Sequence, residues 1–123
     1  MTVQTALAEK IRAAYDTADI DALAPLLADG VRWGDDSHPN TCRNRQDVLH
    51  TYSQWIGNGS VNAEVTGVEA GPNGVLCRLH VDWTDPADKA RRTDFIHVFI
   101  IENGLITEIR RYDDRKSAAK AIG

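Results

Sequence analysis

The chain carries 4 His, 2 Cys and 18 Asp and Glu residues, and their neighbours decide which of them could do chemistry. His97 stands alone in an apolar run, Phe95-Ile96-His97-Val98-Phe99-Ile100-Ile101. An imidazole there can donate or accept a proton near neutral pH. That makes His97 a candidate acid, base or hydrogen-bond donor to a carbonyl oxygen; the plainer reading is a half-buried histidine bonded to a neighbouring strand. Arg78, His80 and Asp82 alternate along another strand and share one face, which suits a pocket but equally an interface or a solvated surface. Trp33, Tyr52, Trp55 and Phe95 either line a ligand site or fill the core, since large rings bury much area in both settings. Asp35, Asp36, His38 and Cys42 are metal-ligand types whose spacing fits no standard zinc pattern, so no metal is expected. Cys42 precedes a helix without a His–Asp partner, and reads as an ordinary thiol. Gly57-Asn58-Gly59 ends a helix rather than opening one, so it is no phosphate loop.

Helical periodicity rules the first half of the chain. Val3, Leu7, Ile11, Ala14, Tyr15 and Ala18 form one apolar stripe, which predicts a helix from Thr2 to Thr17 with Thr2 as its cap. A short second helix should follow Asp19, burying Ile20, Leu23, Leu26 and Leu27 around Pro25. Val31 and Trp33 suit a short strand. A third helix should begin near Asn44, with Val48, Leu49, Tyr52, Trp55 and Ile56 on one face. Strand patterns then take over at Val61 to Ala70, Val75 to Thr84, Arg92 to Ile101 and Leu105 to Tyr112, joined by turn signals at Gly71-Pro72-Asn73-Gly74 and Asn103-Gly104. The tail beyond Asp113 should hold about one helical turn.

The last hairpin governs which groups meet His97. A two-residue Asn103-Gly104 turn pairs His97 with Arg110 and brings Tyr112 and Asp114 to its face; a three-residue turn pairs it with Ile109 and brings Arg111 and Asp113 instead. The Asp113-Asp114-Arg115-Lys116 stretch by itself reads as mixed surface charge at a strand end.

With 123 residues the chain fits one domain, 1–123. A 42% hydrophobic and 26% charged composition excludes disorder and fibrous classes. A net charge of −4 argues against a nucleic-acid binder, which would show a basic face. No stretch reaches the ~18 apolar residues of a membrane span, and the start lacks the pattern of a signal peptide, so a cytoplasmic location with no membrane partner is expected. The strand around His97 is apolar on both faces, as a strand covered on both sides must be. Helices are expected over one face and a second subunit over the other, which predicts a homodimer.

Three stretches carry a family resemblance: Ala18-Asp19-Ile20-Asp21-Ala22-Leu23-Ala24-Pro25-Leu26-Leu27-Ala28-Asp29 leading to Val31 and Trp33, Cys42-Arg43-Asn44-Arg45-Gln46-Asp47-Val48-Leu49, and Asn103-Gly104-Leu105-Ile106-Thr107-Glu108-Ile109 with Tyr112 and Asp114. Together with the element order they resemble the nuclear-transport-factor-2-like superfamily, and the tail from residue 113 resembles its SnoaL-like, polyketide-cyclase-related branch. The resemblance implies an α+β cone, a curved antiparallel or mixed sheet wrapped round three N-terminal helices (a cystatin-like roll). It implies a small-molecule pocket inside the cone and cofactor-free acid–base chemistry on a mostly apolar substrate: isomerisation, cyclisation, dehydration or hydrolysis. A non-catalytic dimeric binding module is the alternative. By resemblance Asp114 takes the place of the acid/base aspartate, with Asp113 as its rival. His97 stands where isomerase-like members carry an acidic proton donor. Arg111 or Tyr112 would orient polar substrate atoms, beside a wall of Trp33, Tyr52, Trp55 and Phe95.

Overall fold

Helix α1 (Val3–Thr17) forms where apolar residues recur every three or four positions, and it buries Leu7, Ala8, Ile11, Ala14 and Tyr15. The computed structural model describes residues 3–17, 19–33, 44–55, 61–84 and 90–123, without the side chains of 54–55, 61–62, 83–84 and 90–93. The expected cap Thr2 and the Asp35, Asp36, His38 and Cys42 group lie outside the described residues. The Asp19 carboxylate accepts a hydrogen bond from the Ala22 N–H, as expected. The chain then makes two 3₁₀ turns, Ile20–Ala22 and Ala24–Leu26, rather than a second helix. Pro25 has no N–H with which to extend a helical ladder.

Strand β1 (Leu27–Trp33) leads towards α2 (Arg45–Trp55). The Asn44 side chain caps α2 by accepting from the Asp47 N–H at 2.8 Å, and the helix buries Val48 and Tyr52. Four long strands complete the sheet: β2 (Val61–Gly71), β3 (Gly74–Thr84), β4 (Ala90–Glu102) and β5 (Leu105–Tyr112). The sheet is single, curved and unclosed, in the order β1-β5-β4-β3-β2, with β1 parallel to β5 and all other pairs antiparallel.

The β4–β5 hairpin turns on Asn103 (φ 54°) and Gly104 (φ 80°), the two left-handed residues that a tight two-residue turn requires. Its register then slips. Ile101 pairs with Ile106, but Ile100 pairs with Glu108, so Thr107 is an extra residue on β5. The Thr107 hydroxyl donates to the Ile100 carbonyl at 3.3 Å.

The two faces of β4 have different covers. Phe95, Phe99 and Ile101 join the main core with Val75, Cys77, Leu79, Ile106 and Ile109, under α1 and α2. Ile96 and Val98 join Leu76 on the outer face, where Ala118 and Ile122 of α3 (Arg115–Ile122) pack on them. The expected single turn is therefore an eight-residue helix. It is anchored at both ends: Arg115 forks onto the Glu69 carboxylate, and the Asn73 N–H donates to the Ile122 carbonyl at 2.9 Å. Leu76 and Val98 are 0% exposed within the single chain. The outer apolar face, where the sequence points to a second subunit, is thus covered over these residues by the chain's own tail.

Among the described residues no helix is long and apolar enough to cross a membrane.

Candidate functional site

Side chains alternate along β4, and that alternation delivers His97 to the helix-covered face between Phe95 and Phe99. His97 is 3% exposed and is the one buried polar or charged residue among those described, apart from the tyrosines and Cys77. Its Nδ1 lies 2.9 Å from the hydroxyl of Tyr15, and that hydroxyl lies 2.6 Å from the hydroxyl of Tyr52. One strand and two helices therefore meet in a line of three polar atoms within an apolar core. Aromatic rings surround it. Trp33 stacks on Tyr52 at 4.6 Å and meets His97 edge-on at 5.4 Å; Phe95 meets His97 at 5.0 Å and Phe99 at 6.2 Å.

Register supplies the flanks. Cys77 on β3 sits directly across from His97, and Arg111 sits directly across on β5. The Arg111 guanidinium lies over the Phe95 ring at 4.5 Å and 3.6 Å from an Asp113 oxygen.

Burial keeps His97 and Tyr15 uncharged. Loss of water, with a smaller contribution from the Arg111 charge, pushes the His97 pKa down to about 3. Burial, with Tyr52 and Cys77 nearby, holds the Tyr15 phenol well above its ordinary value. Burial also pushes the Cys77 thiol up to about 12, so it is no nucleophile at neutral pH. A neutral imidazole can join the line in two ways. In one, Tyr52 donates to Tyr15 and Tyr15 donates to Nδ1, so the His97 hydrogen is on Nε2. In the other, Nδ1–H donates to Tyr15 and Tyr15 donates to Tyr52, leaving Nε2 a lone pair. The three groups can thus be joined in either proton arrangement without ionising.

The structure brings together His97, Trp33, Tyr52, Phe95 and Arg111, but it does not bring Asp114 or Tyr112 to them. The extra residue Thr107 produces neither expected hairpin pairing: His97 faces Arg111, not Arg110 or Ile109. Tyr112 points to the outer face and packs by the α3 cluster. Asp114 is exposed and caps α3, accepting from the Ser117 N–H and hydroxyl, both at 2.8 Å. Those bonds hold its carboxyl below the ordinary value, the opposite of what an acid/base carboxyl at neutral pH needs. His80 likewise lies away from His97, on the outer face, 2.5 Å from Asp94 and 3.7 Å from Asp82. Trp55 ends α2, and its side chain lies outside the described residues. Among the described residues no three His, Cys, Asp or Glu side chains are grouped to hold a metal.

Tyr15 is the member that sequence reasoning missed, because it counts as one more apolar position of the stripe. The signal is present nonetheless: a tyrosine on the buried face of a helix must find a partner for its hydroxyl.

The SnoaL-like domain model matches residues 8–109. No curated protein matches the chain. Among solved structures, an NTF2-like protein of unknown function from Cytophaga hutchinsonii superposes with a TM-score of 0.73 at 14% identity, over 90% of this chain and 98% of that one. A Δ5-3-ketosteroid isomerase from Mycobacterium sp. gives 0.68 at 16% identity, over 94% and 96%. An epoxide hydrolase of the LEH-like type from M. tuberculosis gives 0.66 at 18% identity, over 98% and 88%. At these identities the likeness is one of fold.

Proposed function

Given that the chain belongs to the SnoaL-like family, on the NTF2-like fold, we propose that it binds a small, mostly apolar molecule against the helix-covered face of the sheet. His97, set by Tyr15 and Tyr52, then reads one oxygen of that molecule. The observation that supports this is the uncharged Tyr52–Tyr15–His97 line inside an aromatic core. A buried polar line costs stability unless it is fully bonded, and three such groups on three separate elements are more than packing requires.

The chemistry is set by the protonation state. With a pKa near 3, His97 is a poor general base at neutral pH, where the best proton carriers titrate close to the working pH. It is a better dipole. When Tyr15 donates to Nδ1, the Nε2–H can donate to a carbonyl oxygen and stabilise negative charge that develops there; neutral acids and neutral imidazoles act this way in buried sites. One such donor is worth roughly 10²–10³ in rate. Isomerisation, cyclisation, dehydration and hydrolysis at or next to a carbonyl group each develop negative charge on its oxygen. Catalysis needs no cofactor in this reading, and Trp33, Phe95 and Trp55 supply apolar contact. A single cytoplasmic domain remains part of the proposal. A homodimer remains part of it too, through a surface other than the patch that α3 covers.

The second reading, a non-catalytic binding or association module, is favoured by the burial of His97 and the packing of Trp33, Phe95 and Phe99 around it. One experiment separates the two. Protein with ¹⁵N-labelled histidine is titrated with 2-acetylnaphthalene in D₂O, and the methyl hydrogens of the ketone are followed for exchange: deuteroxide from the solvent takes the methyl proton, the His97 Nε2 donor holds the enolate oxygen, and D₂O returns a deuteron to the carbon. Movement of the His97 ring signals with exchange that disappears in His97→Phe is the expected result. Movement without exchange selects the binding module. No movement up to millimolar concentration, with this ketone or with a carboxylate-bearing analogue of it, would end the binding proposal.

A further inference from the structure

Arg111 is poorly used by its own protein. Two other arginines grip carboxylates with two nitrogens each: Arg110 on Glu108 at 2.8 and 3.0 Å, and Arg115 on Glu69. Among the described residues Arg111 has one carboxylate neighbour, Asp113, at 3.6 Å, too long for a good hydrogen bond. That pair is well exposed, at 56% and 85%, where ion pairs contribute little. Yet Arg111 is held in place. The Thr107 insertion sets it directly across from His97, and its guanidinium carbon rests 4.5 Å from the Phe95 centroid. A guanidinium lying over a ring keeps its N–H edge free to bind two oxygens side by side. The described groups just inside it supply no carboxylate: they are His97, Tyr15, Tyr52 and the Cys77 thiol, all buried.

Resting on the ligand site proposed above, we infer that the ligand is an organic anion: an apolar ring system with a carboxylate or similar group on Arg111 and an uncharged oxygen at His97. Cross-strand and diagonal neighbours on one sheet face are roughly 5–8 Å apart. A ring of ordinary size spans that gap, lying on Phe95 and Trp33. The charge then stays at the exposed rim while the uncharged oxygen goes inside, so neither end of the ligand is buried against its chemistry.

The arrangement also couples the two ends. Arg111 is among the groups that disfavour a proton on His97. An anion seated on Arg111 cancels part of that field, so binding should make His97 easier to protonate. The other titratable groups around the ring among the described residues are Tyr52, Tyr15 and Cys77; burial raises Tyr15 and Cys77, so neither gains a charge that would contribute such a change.

The test compares 2-acetylnaphthalene with 6-acetyl-2-naphthoate, which differ by the carboxylate. Affinity and the His97 titration are read from its ring signals in the wild-type chain, Arg111→Gln and Arg111→Lys. The acid should bind about tenfold more tightly than the ketone to the wild-type chain, as a charged hydrogen-bond pair provides. The preference should vanish in Arg111→Gln and partly return in Arg111→Lys. The acid, and not the ketone, should raise the His97 pKa. Equal affinities in the wild-type chain, or a preference that survives in Arg111→Gln, would overturn the inference and leave the ligand site standing. Failure of both compounds to bind at millimolar concentration would overturn both.

Discussion

The two faces of β4 bury comparable apolar rows and treat polar groups in opposite ways. On the helix-covered face the polar groups are inside: His97, Tyr15 and Tyr52 sit among aromatic rings, and burial drives His97 and Tyr15 to their uncharged forms. On the outer face the interior is aliphatic, Leu76, Ile96, Val98, Ala118 and Ile122, and the polar groups stand round the edge. There Asp114 and Glu69 are driven to their charged forms by Ser117 and Arg115. A packed surface that only has to hold a tail in place is built like the second. The first carries polar groups that holding alone does not need, and that contrast is the ground for placing function there.

The contrast is open to attack through pH, and the largest effect is expected there. The folded His97 pKa is depressed from its ordinary 6.5 to about 3. Between those values the unfolded chain binds the proton and the folded chain does not. Stability that is fully present above pH 6.5 should therefore fall by up to about 1.4 kcal/mol per pH unit as pH drops towards 3. Glu69 and Asp114 are also depressed, so their contributions hold above their ordinary values of 4.5 and 3.8 and fade only below them. Urea melts between pH 7 and 5 should thus show a slope that His97→Gln removes. An unchanged slope in that variant would mean that His97 takes up its proton without difficulty, and the uncharged site would be lost.

Next in size is Tyr15→Phe, which removes the hydroxyl that joins the other two groups. A loss of about 2–3 kcal/mol is expected from two buried hydrogen bonds, measured by urea unfolding at pH 7, with the His97 ring signals displaced. The outer face offers a variant of opposite character. A methyl at Gly71 would stand 2.4 Å from the Ile122 carbonyl oxygen, which is backbone and cannot swing aside. Gly71→Ala should cost about 1–3 kcal/mol by overpacking and loosen α3, seen as faster amide exchange in residues 115–122, while the His97 signals stay put. The smallest effect belongs to Asp114→Ala, which removes an exposed cap and should lower the melting temperature slightly. Asp114→Asn keeps a capping oxygen and should be nearly silent. Neither should alter ketone binding, whereas loss of binding in Asp114→Asn would return that residue to the site.

Much of this is legible in the sequence. The limits of the four long strands read from it lie within two residues of the observed ones because alternation and the Gly71-Pro72-Asn73-Gly74 and Asn103-Gly104 turns are local signals; β1 instead begins at Leu27, which the sequence pattern gives to the second helix. The fold family is legible in the order of elements. His97 is visible as a polar intruder in an apolar run, with Arg111 and Phe95 among its expected neighbours. What local pattern cannot show is the inserted Thr107, since Leu105 to Tyr112 reads as one uninterrupted strand. The choice of Asp114 depends on that register and on the tail's likeness to relatives. The tail itself is two helical turns because Asp114 caps it and Ala118 and Ile122 find an apolar floor on distant strands. Pro25 divides the second helix into two turns, although the Asp19 cap is where the sequence puts it.

Thr107 gives the molecule an unusual kind of tolerance. It is the residue of β5 that has no partner on β4, so removing it while keeping the Asn103-Gly104 turn should straighten the strand and leave Arg111 opposite His97. Loss of a second residue between Thr107 and Tyr112 would slide the strand by one place, bring Tyr112 to face His97 and send Arg111 to the α3 side. Among diverging copies of such a chain, the first lost codon in this hairpin would be silent at His97 and the second would not.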